Sequence, residues 1–352
     1  MKKPTPALFE RQLRIAGYRA SERLRRQGRH QSVKAQRYVA PGEVLTAPLN
    51  FDIIKGSGRE VAKFLRAFAS TVLLNLTPVK IDFRATESFS VVATILLFAE
   101  VDRVVASSKL VKPVTIIDPR SKRAKEVLKQ IGLYELTGDA CTIIPERQDV
   151  VYWCATKGGD QSGDRLEILE AVAKRVNSAR ADQVELRGIW RGVTEAVANS
   201  VEHAYKRARD DGFAGLPDTK WWMFTQLRDN NFTVAVCDLG CGYRATINET
   251  IPEQFVARVA SALLGRNRDA IAIDTAMQYG RSGTKLAERG KGSRDAASVL
   301  ESHGAGELVI MSNTGWMRYN FAGGREKSQQ QGDLGIDLKG TIIWWKLPLK
   351  EK

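Results

Sequence analysis

Between about residues 45 and 150, short apolar runs alternate with stretches whose apolar residues recur at helical spacing, and that alternation leaves few ways to fold. Leu45–Ile54, Val79–Phe83, Val114–Ile117 and Cys141–Ile144 read as strands. Gly58–Leu73 repeats apolar residues at Val61, Phe64, Leu65 and Phe68, and Phe89–Ser107 is apolar on most faces. Lys122–Gly132 sets Ala124, Val127, Leu128 and Ile131 on one side. Strands separated by helices of this length imply crossover units, with helices packed on a sheet. The polar, glycine-bearing stretch Lys157–Asp164 then reads as a linker, taken as residues 151–164. Beyond it, helical periods cover Arg165–Ala179, Gln183–Arg209, Pro252–Leu264, Asp269–Tyr279 and Ser293–His303. Strand patterns cover Trp221–Arg228, Phe232–Cys237, Leu308–Ser312, Met317–Phe321 and Thr341–Leu347, the first two joined by the turn Asp229-Asn230-Asn231. The expectation is an α/β chain of the α+β sandwich kind, with a basic segment over 1–44 and domains over 45–150 and 165–352.

Lys and Arg number 54 against 40 Asp and Glu, a net charge of +14. Most of that excess lies in the first 40 residues, where eleven cations face only Glu10 and Glu22. Two readings of this arm stand. It is either a contact surface for nucleic acid or an acidic protein face, or a solvated extension or docking helix. Its aromatics, Phe9, Tyr18 and Tyr38, make a poor stacking platform. No apolar run reaches the roughly 18–20 residues that span a bilayer; Val91–Val105 is broken by Glu100, Asp102 and Arg103. No apolar segment follows Lys2 and Lys3, so the expected location is cytoplasmic, without membrane partners. Cys141, Cys154, Cys237 and Cys241 form no CxxC pair, and no His lies at metal-ligand spacing from them, which argues against a disulfide scaffold and a structural zinc.

Four short motifs in the second half carry the chemistry. On the helix TEAVANSVEHAY, Glu195, Asn199 and His203 recur every fourth residue, within about 80° of one face. A carboxylate and a carboxamide one turn apart suit Mg²⁺ and a water, with Glu as base; the same spacing also fits a solvated Glu and a hydrogen-bonded Asn. In VAVCDLGCGY an apolar strand runs into Asp238, Gly240 and Gly242, either a tight turn or a carboxylate that receives an amino group beside glycines that tolerate close approach. Arg289, Gly290, Lys291 and Gly292 precede a helix opening at Ser293, where unpaired helix N–H groups and two cations suit an anion. Finally, Gly340-Thr341 opens a strand whose threonine hydroxyl can reach a ring nitrogen through water. Neither GxxxxGK[ST] nor GxGxxG occurs, so the P-loop and the dinucleotide fingerprint are both unsupported.

Taken in order, Glu-x3-Asn, Asp-x-Gly-x-Gly, Gly-x-Gly at a helix start and Gly-Thr on a strand resemble the Bergerat ATP-binding fold of the GHKL superfamily, over about residues 165–352. The resemblance implies ATP and Mg²⁺ as cofactors, Glu195 as catalytic general base and Asn199 as the metal ligand. It implies Asp238 at the adenine amino group, Gly240 and Gly242 beside the base, and Thr341 at the adenine. His203, Arg289, Gly290, Lys291, Gly292 and Ser293 complete the nucleotide site, and residues from about Gly280 to Lys291 would be a lid hinged at Gly280 and Gly283. EAVANSVEHAY is closest to the anti-sigma-factor serine kinases, while His30, His203 and His303 all lack the context of a histidine-kinase acceptor. The stretch IIDPRSKRAKEVLKQIGLYEL resembles the STAS domain of anti-anti-sigma factors, which implies Gly132 as a left-handed helix cap with Leu133 tucked beneath it. Where STAS switches carry an Asp-Ser-Ser/Thr-Gly turn, this chain reads Thr86-Glu87-Ser88-Phe89-Ser90, so Ser88 is expected to cap a helix. The lid motif also departs, reading Gly292-Ser293-Arg294 without a following Gly-Leu. The expected function is a regulator with Mg²⁺-dependent ATPase or serine/threonine kinase activity towards a protein partner, as a monomer or homodimer; the alternatives are a non-catalytic ATP-gated switch and a nucleic-acid-associated factor.

Overall fold

The computed structural model describes residues 42–54, 56–147, 149–150, 153–159, 186–209, 211–213, 220–250, 267–281 and 291–349. The basic arm and the expected helices Arg165–Ala179 and Pro252–Leu264 lie outside them.

Three strands, β1 (Glu43–Thr46), β3 (Val79–Asp82) and β5 (Val114–Ile117), form a parallel sheet in that order, and β2 (Asn50–Phe51) pairs with β4 (Ser88–Phe89) beside it. Helices α1 (Gly58–Leu73) and α2 (Val91–Ser107) supply the crossovers between the parallel strands. Helices α3 (Lys122–Gln130) and α4 (Leu133–Thr137) follow, and between them Gly132 takes φ +81 while Leu133 is fully buried, as expected. Three expectations need correction. Leu45–Ile54 is interrupted after Thr46, where Pro48 cannot donate to a ladder. Cys141–Ile144 forms no strand, and its Ile144 is left exposed. The cap of α2 is Ser90, whose hydroxyl accepts from the Ala93 amide; Ser88 lies in β4 and donates to Asn50 Oδ1 at 2.6 Å.

Seven antiparallel strands build the second sheet in the order β11-β10-β9-β12-β8-β7-β6. They are β6 (Cys154–Gly158), β7 (Trp221–Arg228), β8 (Asn231–Asp238), β9 (Ala305–Ser312), β10 (Gly315–Ala322), β11 (Arg325–Asp333) and β12 (Thr341–Pro348). Lys157 and Gly158, expected in the linker, instead pair with Trp222 and Trp221 at the edge of this sheet. The β7–β8 turn is tighter than expected: Asp229 and Asn230 both have positive φ, as a two-residue hairpin turn requires, and Asn231 already belongs to β8. Strand β11, entirely polar except for glycine, shows no apolar alternation and was invisible to periodicity.

Apart from β11, whose residues are largely exposed, the large sheet is covered on both faces, and its period of two sorts the side chains. Trp222, Phe224, Ala235, Cys237, Val309, Met311 and Ile342 face a core shared with α1, α2 and the parallel sheet. Trp221, Met223, Val234, Val236, Ile310, Ile343 and Trp345 face a second core built with helices α5 (Leu186–Asn199), α7 (Arg268–Arg281) and α8 (Lys291–His303). Helix α6 (Tyr243–Thr250) packs on α7.

Helix α2 explains how the first half attaches. It contacts both α1 and strands β7 and β8, and its residues from Val92 to Val104 are all buried. A helix apolar all round needs partners all round. Its three charged residues are each engaged. Glu100 pairs with Arg103 and Arg209, and Asp102 accepts from Trp222 Nε1 at 3.1 Å and pairs with Lys157 and Lys220. Contacts gather residues 41–352 into a single unit, so the expected domains 45–150 and 165–352 share one core.

Candidate functional site

Register brings three strand ends into a row. Asp238 closes β8 opposite Thr341 at the start of β12, and Thr341 lies opposite Ser312 at the end of β9. All three side chains are buried, and the Thr341 and Ser312 hydroxyls are 3.2 Å apart. Asp238 Oδ1 accepts from the Gly240 amide at 2.9 Å, and Oδ2 accepts from Ser200 Oγ at 3.4 Å. Burial pushes the Asp238 carboxyl up to about 6, against the opposing pull of hydrogen bonds from the Gly240 and Thr341 amides and the Ser200 hydroxyl. At pH 7 the group remains mostly ionised, an acceptor held in a place where charge is costly.

The Asp-x-Gly-x-Gly loop is clamped from two sides. A Cβ on Gly240 would overlap the Ala204 carbonyl, and the Cys241 amide donates to that same carbonyl at 2.8 Å. Gly242 has φ +79, and a Cβ there would meet Ser312 and Asn313. Ser312 Oγ in turn accepts from the Tyr243 amide at 3.0 Å, and Asn313 Nδ2 donates to the Cys241 carbonyl at 3.0 Å. The glycines therefore serve close packing of protein on protein within this loop. The Tyr205 hydroxyl adds another tie by accepting from the Leu239 amide at 3.2 Å.

Helix α5 carries Glu195 and Asn199, both half-buried, one turn apart. Val193 and Val197, both buried, anchor it. The α-helix ends at Asn199 and continues as a π-helical turn, Ser200–Ala204. The uniform 100° step assumed for His203 is thus broken after Asn199, and the widened turn is what carries the Ala204 carbonyl to the glycine loop. His203 is half-buried, with Nε2 3.9 Å from Glu202.

Helix α8 opens at Lys291, two residues earlier than expected, so Gly292 and Ser293 lie inside its first turn. It runs antiparallel to α5: Gly188 faces Ser302, Gly192 faces Val299, and Arg191 pairs with Asp295 at 3.1 Å. Continued, that register sets the first turn of α8 alongside the Glu195–Asn199 end of α5. Gly280, expected as a hinge, is within α7. Arg289, Gly290 and residues 282–288 of the expected lid lie outside the described residues.

The structure thus brings Asp238, Gly240 and Gly242 together with Thr341, while Glu195 and Asn199 lie on α5 and Gly292 and Ser293 in the first turn of α8. Sequence reasoning missed Ser200, Tyr205 and Ser312. Ser312-Asn313 at a strand end is a local turn signal, but the placement of Ser312 depends on a pairing 29 residues away. No protein-family model, curated protein or solved structure matches the chain. Among the described residues, no helix is long and apolar enough to cross a membrane.

Proposed function

We propose that residues 165–352 form a Bergerat-type ATP-binding module of the GHKL kind, fused to a STAS-like half, and that the protein is a regulator with Mg²⁺-dependent ATPase or serine/threonine kinase activity. The carrying observation is Asp238: a buried, largely ionised carboxylate at a strand end, flanked by the Thr341 and Ser312 hydroxyls. That group is an acceptor for a purine amino group, and Thr341 offers a hydroxyl to a ring nitrogen. Phosphates would extend towards the first turn of α8, whose N–H groups and dipole favour anions.

The donors on α5 fit a magnesium ion, since Glu195 and Asn199 supply hard oxygens one turn apart on a half-buried face. Bound there, the ion would neutralise triphosphate charge. Asn199 would hold it, and Glu195 would orient and deprotonate a water or an acceptor hydroxyl.

The fused core bears on the acceptor. Ser88 is tied to Asn50, and Ser90 caps α2, so neither occupies an open switch turn. A phosphoacceptor on a separate protein partner fits this arrangement better than either serine of that turn. The same fusion favours the second reading, a non-catalytic switch in which nucleotide alters the surface shown to that partner. Glu195→Ala separates the two. An enzyme loses about 100-fold or more in ATP turnover while keeping nucleotide affinity within about threefold. Unchanged turnover excludes Glu195 as the base.

A further inference from the structure

A cavity of about 380 Å³ opens on the side of the molecule where α1 and α2 meet the loop before β12. It lies within the size range of small-molecule sites. Its walls are largely apolar, with Leu65, Ala69, Leu96, Phe213 and Leu338 contributing. Four charged residues also line it, and they cancel among themselves. Arg103 and Arg209 each pair with both Glu100 and Asp211, and the Arg103 guanidinium also lies 5.1 Å from the Phe213 ring centre. Burial would raise the Glu100 carboxyl, but the two guanidiniums outweigh it and hold the group below its usual range. This wall is neutral and has no charge left to offer a ligand.

Three further cations line the same cavity, and no unpaired acid among the described lining residues faces them. Arg59, Lys63 and Arg66 fall at i, i+4 and i+7 on α1, one stripe about 60° wide. All three are exposed, and none makes an ion pair among the described residues. The acidic residue of this helix, Glu60, lies outside the cavity wall, and Lys339 is already paired with Asp337. An apolar chamber bordered by three positive charges that no described residue neutralises has a definite chemical complement.

We infer that this cavity binds a small organic anion: an apolar body seated against Leu96, Phe213 and Leu338, with a carboxylate or phosphate at the Arg59–Lys63–Arg66 stripe. The site is separate from the Asp238 row and does not rest on the nucleotide reading.

Two fluorescent probes test it on the full chain, the anionic 8-anilinonaphthalene-1-sulfonate and the uncharged N-phenyl-1-naphthylamine. Both should bind and compete for one site. Replacing the stripe (Arg59→Gln, Lys63→Gln, Arg66→Gln) should weaken the anionic probe about tenfold and leave the neutral one unchanged, because exposed charges contribute modestly and additively. Filling the chamber with Ala62→Phe should remove both, with circular dichroism verifying the fold. The inference is overturned if wild type binds neither probe, if the triple variant binds both as wild type does or loses both equally, or if folded Ala62→Phe retains them. A protein that keeps this pattern but shows no response to ATP loses the nucleotide reading alone.

Discussion

At Asp238, burial and hydrogen bonding pull in opposite directions, and burial prevails. In the unfolded chain the carboxyl titrates near 3.8, and in the folded protein near about 6. Between these values the folded state holds the extra proton, so stability falls as pH rises from about 4 to about 6. Above that window it stays lower by about 3 kcal/mol. Asp238→Asn removes the step. Urea unfolding of both proteins at pH 4.5 and 7.5 should show the wild type losing more stability than the variant over this interval. Equal losses would mean that the carboxyl is not held in its neutral-favouring setting. Asp238, Gly240, Gly242 and Thr341 were legible because an acid after an apolar strand, flanked by glycines, is a local pattern. Ser200 and Ser312 were not, since their part depends on which strands pair and where a helix changes pitch.

Among the elements, α1, β5 and β7 match their expected bounds, and α2, α7 and α8 differ by about two residues. Besides β4, β6 and α4, three further features escaped for plain physical reasons. Helix α6 follows directly on the glycine loop and mixes β-branched with polar residues. Strand β11 lacks apolar alternation because both of its faces are exposed. The π-turn after Asn199 is set by tertiary packing against Cys241 and leaves no periodic trace. The α5–α8 contact gives a sharp test. A Cβ on Gly192 would overlap the Val299 side chain and press on the Trp345 ring, whose Nε1 donates to the Ala296 carbonyl at 2.8 Å. Gly192→Ala should therefore destabilise the protein by about 1–3 kcal/mol in urea, despite the better helix propensity of alanine. A stabilised variant would mean that the two helices are not so closely packed.

For the molecule as a whole, the alternation of strands and helices was legible, but the sharing of one core was not. The apolarity of α2 on all sides signalled a second partner without saying which surface supplies it. The large sheet does, through Trp222, Phe224 and Ala235. Unfolding should accordingly be one transition for residues 41–352, with tryptophan fluorescence from the large sheet and far-ultraviolet circular dichroism giving coincident curves. Two separated transitions would restore independent domains. The central claim concerns nucleotide. Thermal stability should be measured with ATP, with and without Mg²⁺, on wild type and Asp238→Asn. At about 100 times the dissociation constant, ATP should stabilise the wild type by about 2.7 kcal/mol, more readily with Mg²⁺, and leave the folded variant unmoved. A wild type whose melting temperature does not respond to saturating ATP, or a variant that responds equally, would contradict it.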